Sequence, residues 1–303
     1  MSHERKRRLV QRLQSESIPA ILITNAVNRK YMTGFTGTSG YVLVTCDHAV
    51  LFTDFRYVEQ AGAQAAGFEV IEHGPDVKRD IVKKLDEWNI RSLAIEEEHM
   101  TYKEFRAYSE ALKSIELLPV SGIVEQLRLI KDENELNIMK EACELADKAY
   151  EHILSFLKPG AAEKEIALEL EIYMRKNGAA SSSFDTIVAS GERSAMPHGV
   201  ASDKVLQTGD FVTMDFGAYY KGYCSDITRT VVLGKADAKQ KEIYNIVLEA
   251  QMQAVDRIGP GMTGREADAV ARDIIQKYGY GDRFGHGTGH GLGMEIHEGP
   301  RVS

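Results

Sequence analysis

Two stretches of this sequence carry residues whose type and spacing suit chemistry on a polarised bond. In FVTMDFGAYYKGYCSDITRTVVL (211–233), two β-rich runs flank the turn-like YYKG. A turn centred between Tyr220 and Lys221 sets Asp215 directly opposite Asp226 on one face, with Cβ atoms roughly 4.5–5.5 Å apart. Two carboxylates that close repel each other, so a buried pair needs a proton, a cationic side chain or a metal ion. A pair on a wet sheet face needs no such partner, and a bulge would undo the register. Spacing alone leaves both readings open.

The second stretch is GHGTGHGLG (285–293). His286 and His290 stand four apart, which on a helix is a two-histidine zinc arrangement, but five glycines at about 1 kcal/mol each against alanine oppose a helix. An extended chain instead puts Phe284, His286, Thr288, His290 and Leu292 on one face and only hydrogens on the other. The bare face lets another backbone or a substrate come close. A phosphate cradle competes with this reading, but the glycines fit neither phosphate motif and no lysine follows. One metal-binding histidine of the two is expected at most.

Two more histidines occupy matching places in an internal repeat. KPGAAEKEIALELEIYMRKNG (158–178) and GPGMTGREADAVARDIIQKYG (259–279) align without a gap, pairing Pro159 with Pro260, Gly160 with Gly261, Glu165 with Glu266 and Gly178 with Gly279. Chance likeness between two amphipathic helices is the alternative, opposed by the shared PG entry and KxG exit. A duplicated α+β half is expected, its copies sharing a sheet around a pseudo-two-fold axis with a ligand cleft between them. PHG follows the first copy and IHEG the second, so His198 and His297 would approach that cleft from opposite sides. Imidazoles there can donate hydrogen bonds to a carbonyl becoming an oxyanion; each, singly, can equally be a surface histidine.

These residues need a scaffold. Before the repeat, residues 20–24, 40–45, 49–54, 68–73 and 92–97 read as strands, with a hairpin-like pair near 40–54, and 56–66, 76–88 and 102–113 read as helices. This is an α/β domain with no nucleotide fingerprint. At its start, the basic cluster Arg5–Arg8 beside Leu9, Val10 and Leu13 suits an amphipathic helix surface. A long helix then begins at Asp132, an N-cap with Glu135 three residues on, and ends at Pro159-Gly160. Its apolar stripe reads Leu136, Met139, Cys143, Ala146, Tyr150, Ile153, Leu154 and Leu157. The domain boundary falls just before it, giving 1–128 and 129–303.

Composition narrows the function classes. The 303 residues are 43% hydrophobic, enough for two domains with full cores, and 37 Lys and Arg against 45 Asp and Glu leave a formal charge of −8. That charge disfavours nucleic acid and anionic membranes as partners, and no stretch approaches the roughly 20 apolar residues of a membrane span. Cys46, Cys143 and Cys224, odd in number and far apart, fit reduced thiols in the cytoplasm.

The run HGTGHGLGMEIHEGP, with MDFG…YCSDITRT and PHG upstream, resembles the pita-bread metallopeptidases of Xaa-Pro bonds, aminopeptidase P and prolidase. NRKYMTGFTGTSGYVLV and LFTDFRY resemble their N-terminal domain, so the likeness extends over essentially the whole chain. It implies an α/β N-terminal domain of the creatinase/prolidase type, then an α+β pita-bread domain with internal pseudo-two-fold duplication. In that frame Asp215 is a terminal ligand of one metal, Asp226 bridges two, and His290 binds the second. His198 and His297 line the substrate site and stabilise the tetrahedral intermediate, and His286 lies near the entrance. The implied cofactors are two divalent ions, commonly manganese, holding a hydroxide that attacks the carbonyl before proline; carboxylate and imidazole ligands suit Co and Zn as well. The implied substrates are Xaa-Pro dipeptides or peptides with proline second, and the implied assembly is a homodimer.

The family pattern adds two glutamate ligands, one in an EPG motif, and both would fall beyond Ser303. The expectation is a fragment of a longer protein, with Glu295 and Glu298 only weak substitutes beside His297. Methionine aminopeptidase lacks the N-terminal domain, and creatinase works without metal whereas Asp215, Asp226 and His290 are retained. A catalytically inactive pita-bread binding protein is the alternative of a different class, kept open by the missing glutamates and opposed by the acidic charge and intact histidines.

Overall fold

The computed structural model describes residues 2–303. The chain divides into two compact units, Met1–Ile130 and Lys131–Ser303. The first contains α1 (Ser2–Ser15), β1 (Ala20–Ile23), α2 (Ala26–Thr33), β2 (Tyr41–Thr45), β3 (Ala49–Thr53), α3 (Val58–Gln64), β4 (Glu69–Glu72), α4 (Val77–Glu87), β5 (Ser92–Glu96), α5 (Tyr102–Ala111), β6 (Glu116–Val120) and α6 (Glu125–Arg128). Its six strands form one mixed sheet in the order β4-β3-β2-β1-β5-β6. β2 pairs antiparallel with both β1 and β3, while β1–β5, β5–β6 and β3–β4 are parallel. Ala20 to Ile23 are wholly buried, as a central strand covered on both faces requires.

Two elements of this unit escape an apolar-pattern reading for identifiable reasons. The buried side of α2 carries Asn28, Arg29 and Thr33 beside Tyr31 and Met32, so its apolar signal is diluted. Burial of the first two is tolerated because Asn28 Nδ2 donates to Glu96 Oε1 at 2.7 Å, and Arg29 donates to the carbonyls of Gly37 and Gly40 at 2.8 Å each. Strand β6 lies at a sheet edge, contains Pro119 and is largely half-exposed, so it lacks the apolar run of its neighbours.

The second unit contains α7 (Glu133–Ile153), α8 (Glu163–Lys176), β7 (Ser181–Ser182), β8 (Ile187–Ser190), β9 (Phe211–Phe216), β10 (Ala218–Tyr220), β11 (Tyr223–Cys224), β12 (Ile227–Val232), α9 (Ala238–Arg257), α10 (Gly264–Lys277), β13 (Gly289–Gly291) and β14 (Glu298–Val302). Asp132 and Glu135 form the expected capping box at the start of α7. The buried face of that helix overlaps the expected stripe in part: Ala146 and Ile153 enter the core and Tyr150 and Leu157 pack against it, but Ala142, Leu145 and Ala149 join them while Leu136, Cys143 and, just past the helix, Leu154 are exposed. Small alanines let α7 lie close to α8, and Leu136, which stands out in a hydropathy reading, is left outside.

The internal repeat is visible as geometry. α8 and α10 are both 14 residues long and occupy matching positions in the two copies. Glu165 and Glu266, paired in the repeat, each accept the backbone N–H three residues earlier, from Ala162 at 2.9 Å and Thr263 at 2.8 Å. Each helix is preceded by a left-handed glycine, Gly160 (φ 96°) and Gly261 (φ 93°), and followed by another, Gly178 (φ 106°) and Gly279 (φ 84°). The C-terminal glycines let the next N–H fold back, Ala179 onto Met174 O at 3.0 Å and Tyr280 onto Ile275 O at 3.1 Å. The expected shared sheet is not present among the described residues: β12-β9-β8, β11-β10-β7 and β13-β14 are separate ladders. No described helix is long and apolar enough to cross a membrane.

The corrected face of α7 has a measurable consequence. Leu145, 6% exposed, should cost about 2–5 kcal/mol on truncation to alanine in a denaturant titration, whereas Leu136→Ala, at a site 55% exposed, should fall within about 0.5 kcal/mol of the parent.

Candidate active site

The first wall of the site is the β9–β12 hairpin. Its turn is centred between Lys221 (φ 49°) and Gly222 (φ 92°), with Tyr220 paired to Tyr223, as the right-handed twist of a two-residue hairpin demands. The expected centre, one position earlier, is therefore corrected. The register shifts by two residues, and Asp215 faces Thr228 rather than Asp226. A shift of two preserves the side-chain alternation, so both aspartates stay on one face as diagonal neighbours. Along β9, Val212, Met214 and Phe216 enter the core, which turns Thr213 and Asp215 to the other face. Thr228 Oγ1 donates to Asp215 Oδ1 at 2.9 Å, and Thr213 and Thr230 share a 3.0 Å hydroxyl contact, making that face polar.

Asp226 lies in the break between β11 and β12. A Cβ on Gly217 would stand 1.8 Å from Ser225 O, so only glycine lets the Ser225–Asp226 backbone cross there. Ser225 is buried and holds the crossing, its Oγ accepting from Ala218 N at 2.9 Å and its N donating to Ala218 O at 3.0 Å.

The glycine-rich run forms the opposing wall, with a shorter strand than expected. Only Gly289–Gly291 is extended and paired, against β14, and the segment before it bends. None of its glycines has positive φ, so the need for glycine is spatial. A Cβ at Gly287 would meet Val302 O at 2.8 Å, and one at Gly291 would meet Gly299 O at 2.0 Å. The bare face thus admits the backbone of β14, while Gly285 and Gly289 face open space. Cys224 N donates to Gly293 O at 2.8 Å and ties the two walls together.

Four of the six candidate residues, Asp215, Asp226, His290 and His297, meet on these walls, and the charge of an exposed His198 reaches Asp215. His290 Nε2 lies 3.5 Å from Asp226 Oδ2, and the His290 and His297 rings are 4.3 Å apart between centroids. Burial raises the Asp215 carboxyl above its usual range; the Thr228 hydrogen bond opposes that, the Asp226 charge adds to it, and His198 and His290 work against it. Burial likewise raises Asp226, opposed by His290 and His297. His286 stands apart among the described residues: its ring meets Phe284 at 5.1 Å and Nδ1 contacts Gly287 O at 2.8 Å.

The carboxylate–imidazole donor set suits a hard or borderline divalent cation, and raised carboxyls gain most from one. Asp215, Asp226 and His290 therefore fit as metal ligands, although among the described residues no three His, Cys, Asp or Glu side chains are already close enough together to hold an ion. Glu298, the weak substitute, is engaged elsewhere. Its carboxylate meets Lys131 Nζ at 3.3 Å and accepts from Glu295 N at 3.0 Å. Burial raises the Cys224 thiol to about 11, leaving it protonated beside the site.

Sequence reasoning missed the residues that hold the glycine-rich run. From α10, Asp268 Oδ1 accepts from Thr288 N at 2.9 Å and Thr288 Oγ1 at 2.8 Å. Arg272, one helical turn on, donates to Asp268, to Phe284 O at 2.8 Å and to His286 O at 2.7 Å. Their i,i+4 spacing was the available signal, but on a helix that spacing usually marks an exposed pair.

Residues 137–303 match the model of metallopeptidase family M24, and residues 5–130 match the creatinase/prolidase N-terminal domain. The chain belongs to metallopeptidase family M24. An Xaa-Pro dipeptidase of Pyrococcus horikoshii is 41% identical over 99% of this chain and 84% of its own length. The solved structure of an Xaa-Pro dipeptidase from Bacillus anthracis superposes with a TM-score of 0.98 at 54% identity, covering 100% of this chain and 85% of that one. An X-Pro aminopeptidase from Thermotoga maritima gives 0.92 at 42%, covering 99% and 85%. M24 membership carries the pita-bread fold and an M24 metallopeptidase assignment for this chain.

Two stability tests follow. Gly291→Ala should destabilise by about 1–3 kcal/mol by forcing β13 from β14, while Gly285→Ala should be nearly neutral in the same urea titration. Asp268 is held at about 2, chiefly by hydrogen bonds from Arg272. The stability it lends is fully present above the ordinary carboxylate value near 4 and is lost as pH falls from there through about 2. Asp268→Ala should therefore cost about 1–3 kcal/mol at pH 7 and much less at pH 2, compared by thermal unfolding at both pH values.

Proposed function

We propose that this chain hydrolyses the bond between an N-terminal residue and proline, in Xaa-Pro dipeptides or in peptides with proline second. The observation that carries the reading is the convergence of Asp215, Asp226 and His290 with His198 and His297 in an M24 chain. The names of its relatives, Xaa-Pro dipeptidase and X-Pro aminopeptidase, supply the substrate class. Asp215, Asp226 and His290 would hold two divalent ions, manganese first and cobalt or zinc as alternatives. Such a pair, when bound, polarises a carbonyl and makes water nucleophilic near neutral pH.

The remaining work falls to the chain's own side chains. His198 and His297 donate hydrogen bonds to the carbonyl oxygen as it gains charge. His286, outside the cluster, contacts substrate on its way in. A proline nitrogen in peptide linkage has no N–H to donate, so the site selects for its ring and fixed φ rather than for a hydrogen bond. A cytoplasmic location accords with two exposed free thiols, Cys46 and Cys143. A homodimer is the assembly we assign it.

The test is hydrolysis of Xaa-Pro dipeptides, Xaa-Pro-containing tripeptides and Xaa-Ala controls with and without Mn²⁺. Metal-dependent cleavage confined to the proline substrates is expected, and the dipeptide-to-tripeptide ratio separates dipeptidase from aminopeptidase. Asp226→Asn should lower the rate by about a hundredfold or more and remove bound metal. Unchanged metal occupancy in that variant, or no cleavage before proline by the folded protein, contradicts the reading.

A further inference from the structure

Glu163, the first residue of α8, is a carboxylate with 0% exposure and no part in the chemistry above. Its Oε1 accepts from Ser190 N at 2.7 Å and Ser190 Oγ at 2.9 Å. Its Oε2 accepts from Arg193 Nε at 3.0 Å, Ser202 N at 3.1 Å and Ser202 Oγ at 2.6 Å. All of these donors belong to one stretch of chain. Ser190 ends β8, Arg193 lies in the 3₁₀ turn Gly191–Ala195, and Ser202 closes the segment.

His198 sits between these anchors. Around it, Met196 is 53% and Val200 51% exposed, and Pro197 and His198 are exposed as well, so little apolar burial fixes the loop. What crosses it is polar: Arg193 Nη2 donates to Val200 O at 2.7 Å, and Lys204 Nζ reaches back to Ser190 Oγ at 2.7 Å. Burial acts to raise the Glu163 carboxyl, but the Ser202 and Ser190 hydrogen bonds outweigh it and hold the group below its usual range. It is therefore ionised at neutral pH. Only an ionised carboxylate offers two oxygens that accept without donating, which is what donors converging from both ends of a loop require.

We propose that Glu163 is a positioning residue for His198: its buried carboxylate ties the two ends of loop 190–202 together and so sets where the imidazole stands. The second half of the unit uses a related device, Asp268 with Arg272 holding residues 284–288. The inference rests on the reading of His198 as a substrate-facing residue, and it concerns how that residue is held.

Hydrogen exchange of the full chain, resolved by mass spectrometry, tests it without requiring activity. Glu163→Gln is nearly isosteric but turns an NH₂ toward the donors. It should speed amide exchange across 190–202 by about tenfold or more, with 286–297 and the middle of α8 at parent rates. Ser202→Ala, a milder change should the first variant fold poorly, should speed the same segment and no other. In Xaa-Pro hydrolysis, Glu163→Gln combined with His198→Ala should be no slower than His198→Ala alone, because both act through one imidazole. Parent exchange rates at 190–202 in the folded variants, or fully additive rate losses, overturn the proposal. If the parent itself cleaves no Xaa-Pro bond, the functional reading fails while the exchange result still decides whether Glu163 holds the loop.

Discussion

Two partly buried carboxylates on one face of a hairpin govern the second unit of this protein. Asp215 and Asp226 are raised by burial, and each lies within electrostatic reach of histidines from elsewhere in the chain. Nothing in the hairpin itself neutralises them; Thr228 contributes one hydrogen bond, to Asp215 alone. Compensation must come from outside the hairpin, from His198 on one side, from His290 and His297 on the other, and from cations. The duplicated helices, the glycine-rich run and the loop after β8 can all be understood as means of delivering that compensation.

The means differ in kind. At Gly217, Gly287 and Gly291 the chain omits a side chain so that two backbones can approach. At Glu163 and Asp268 it places a carboxylate under a loop and lets backbone and hydroxyl donors converge on it. Neither device contributes a large apolar area. Both set position rather than drive collapse, which the packing of α7 and α8 over the β8–β9–β12 sheet supplies.

How much of this was legible beforehand follows from what a linear pattern can carry. Five of the six strands of the first unit, the capping box at Asp132 and the paired PG and KxG boundaries of the repeat depend on local spacing, and local spacing survives in a sequence. The hairpin register depends on which residue takes positive φ: Gly222 moves the turn by one place and the pairing by two. Asp215 and Asp226 keep a common face only because that shift is even. The α7 stripe was right at Ala146 and Ile153 but wrong at Leu136 and Cys143 because much of the core face is alanine, and α2 was hidden because Asn28 and Arg29 are buried beside Tyr31 and Met32. Glu163 left little trace, since its partners lie 27 to 39 residues away along the chain, and Asp268 only its i,i+4 spacing to Arg272, its other partner Thr288 lying 20 residues on.

The central claim is that Asp215 and Asp226 form a site whose charge a divalent cation balances. Thermal unfolding of the full chain, in EDTA and across a Mn²⁺ titration, tests it most directly. The account predicts a midpoint that rises with Mn²⁺ concentration in the parent, as any ligand of the native state requires, and that does not respond in Asp226→Asn. A parent midpoint identical in EDTA and at saturating Mn²⁺, or an equal rise in both proteins, would contradict it.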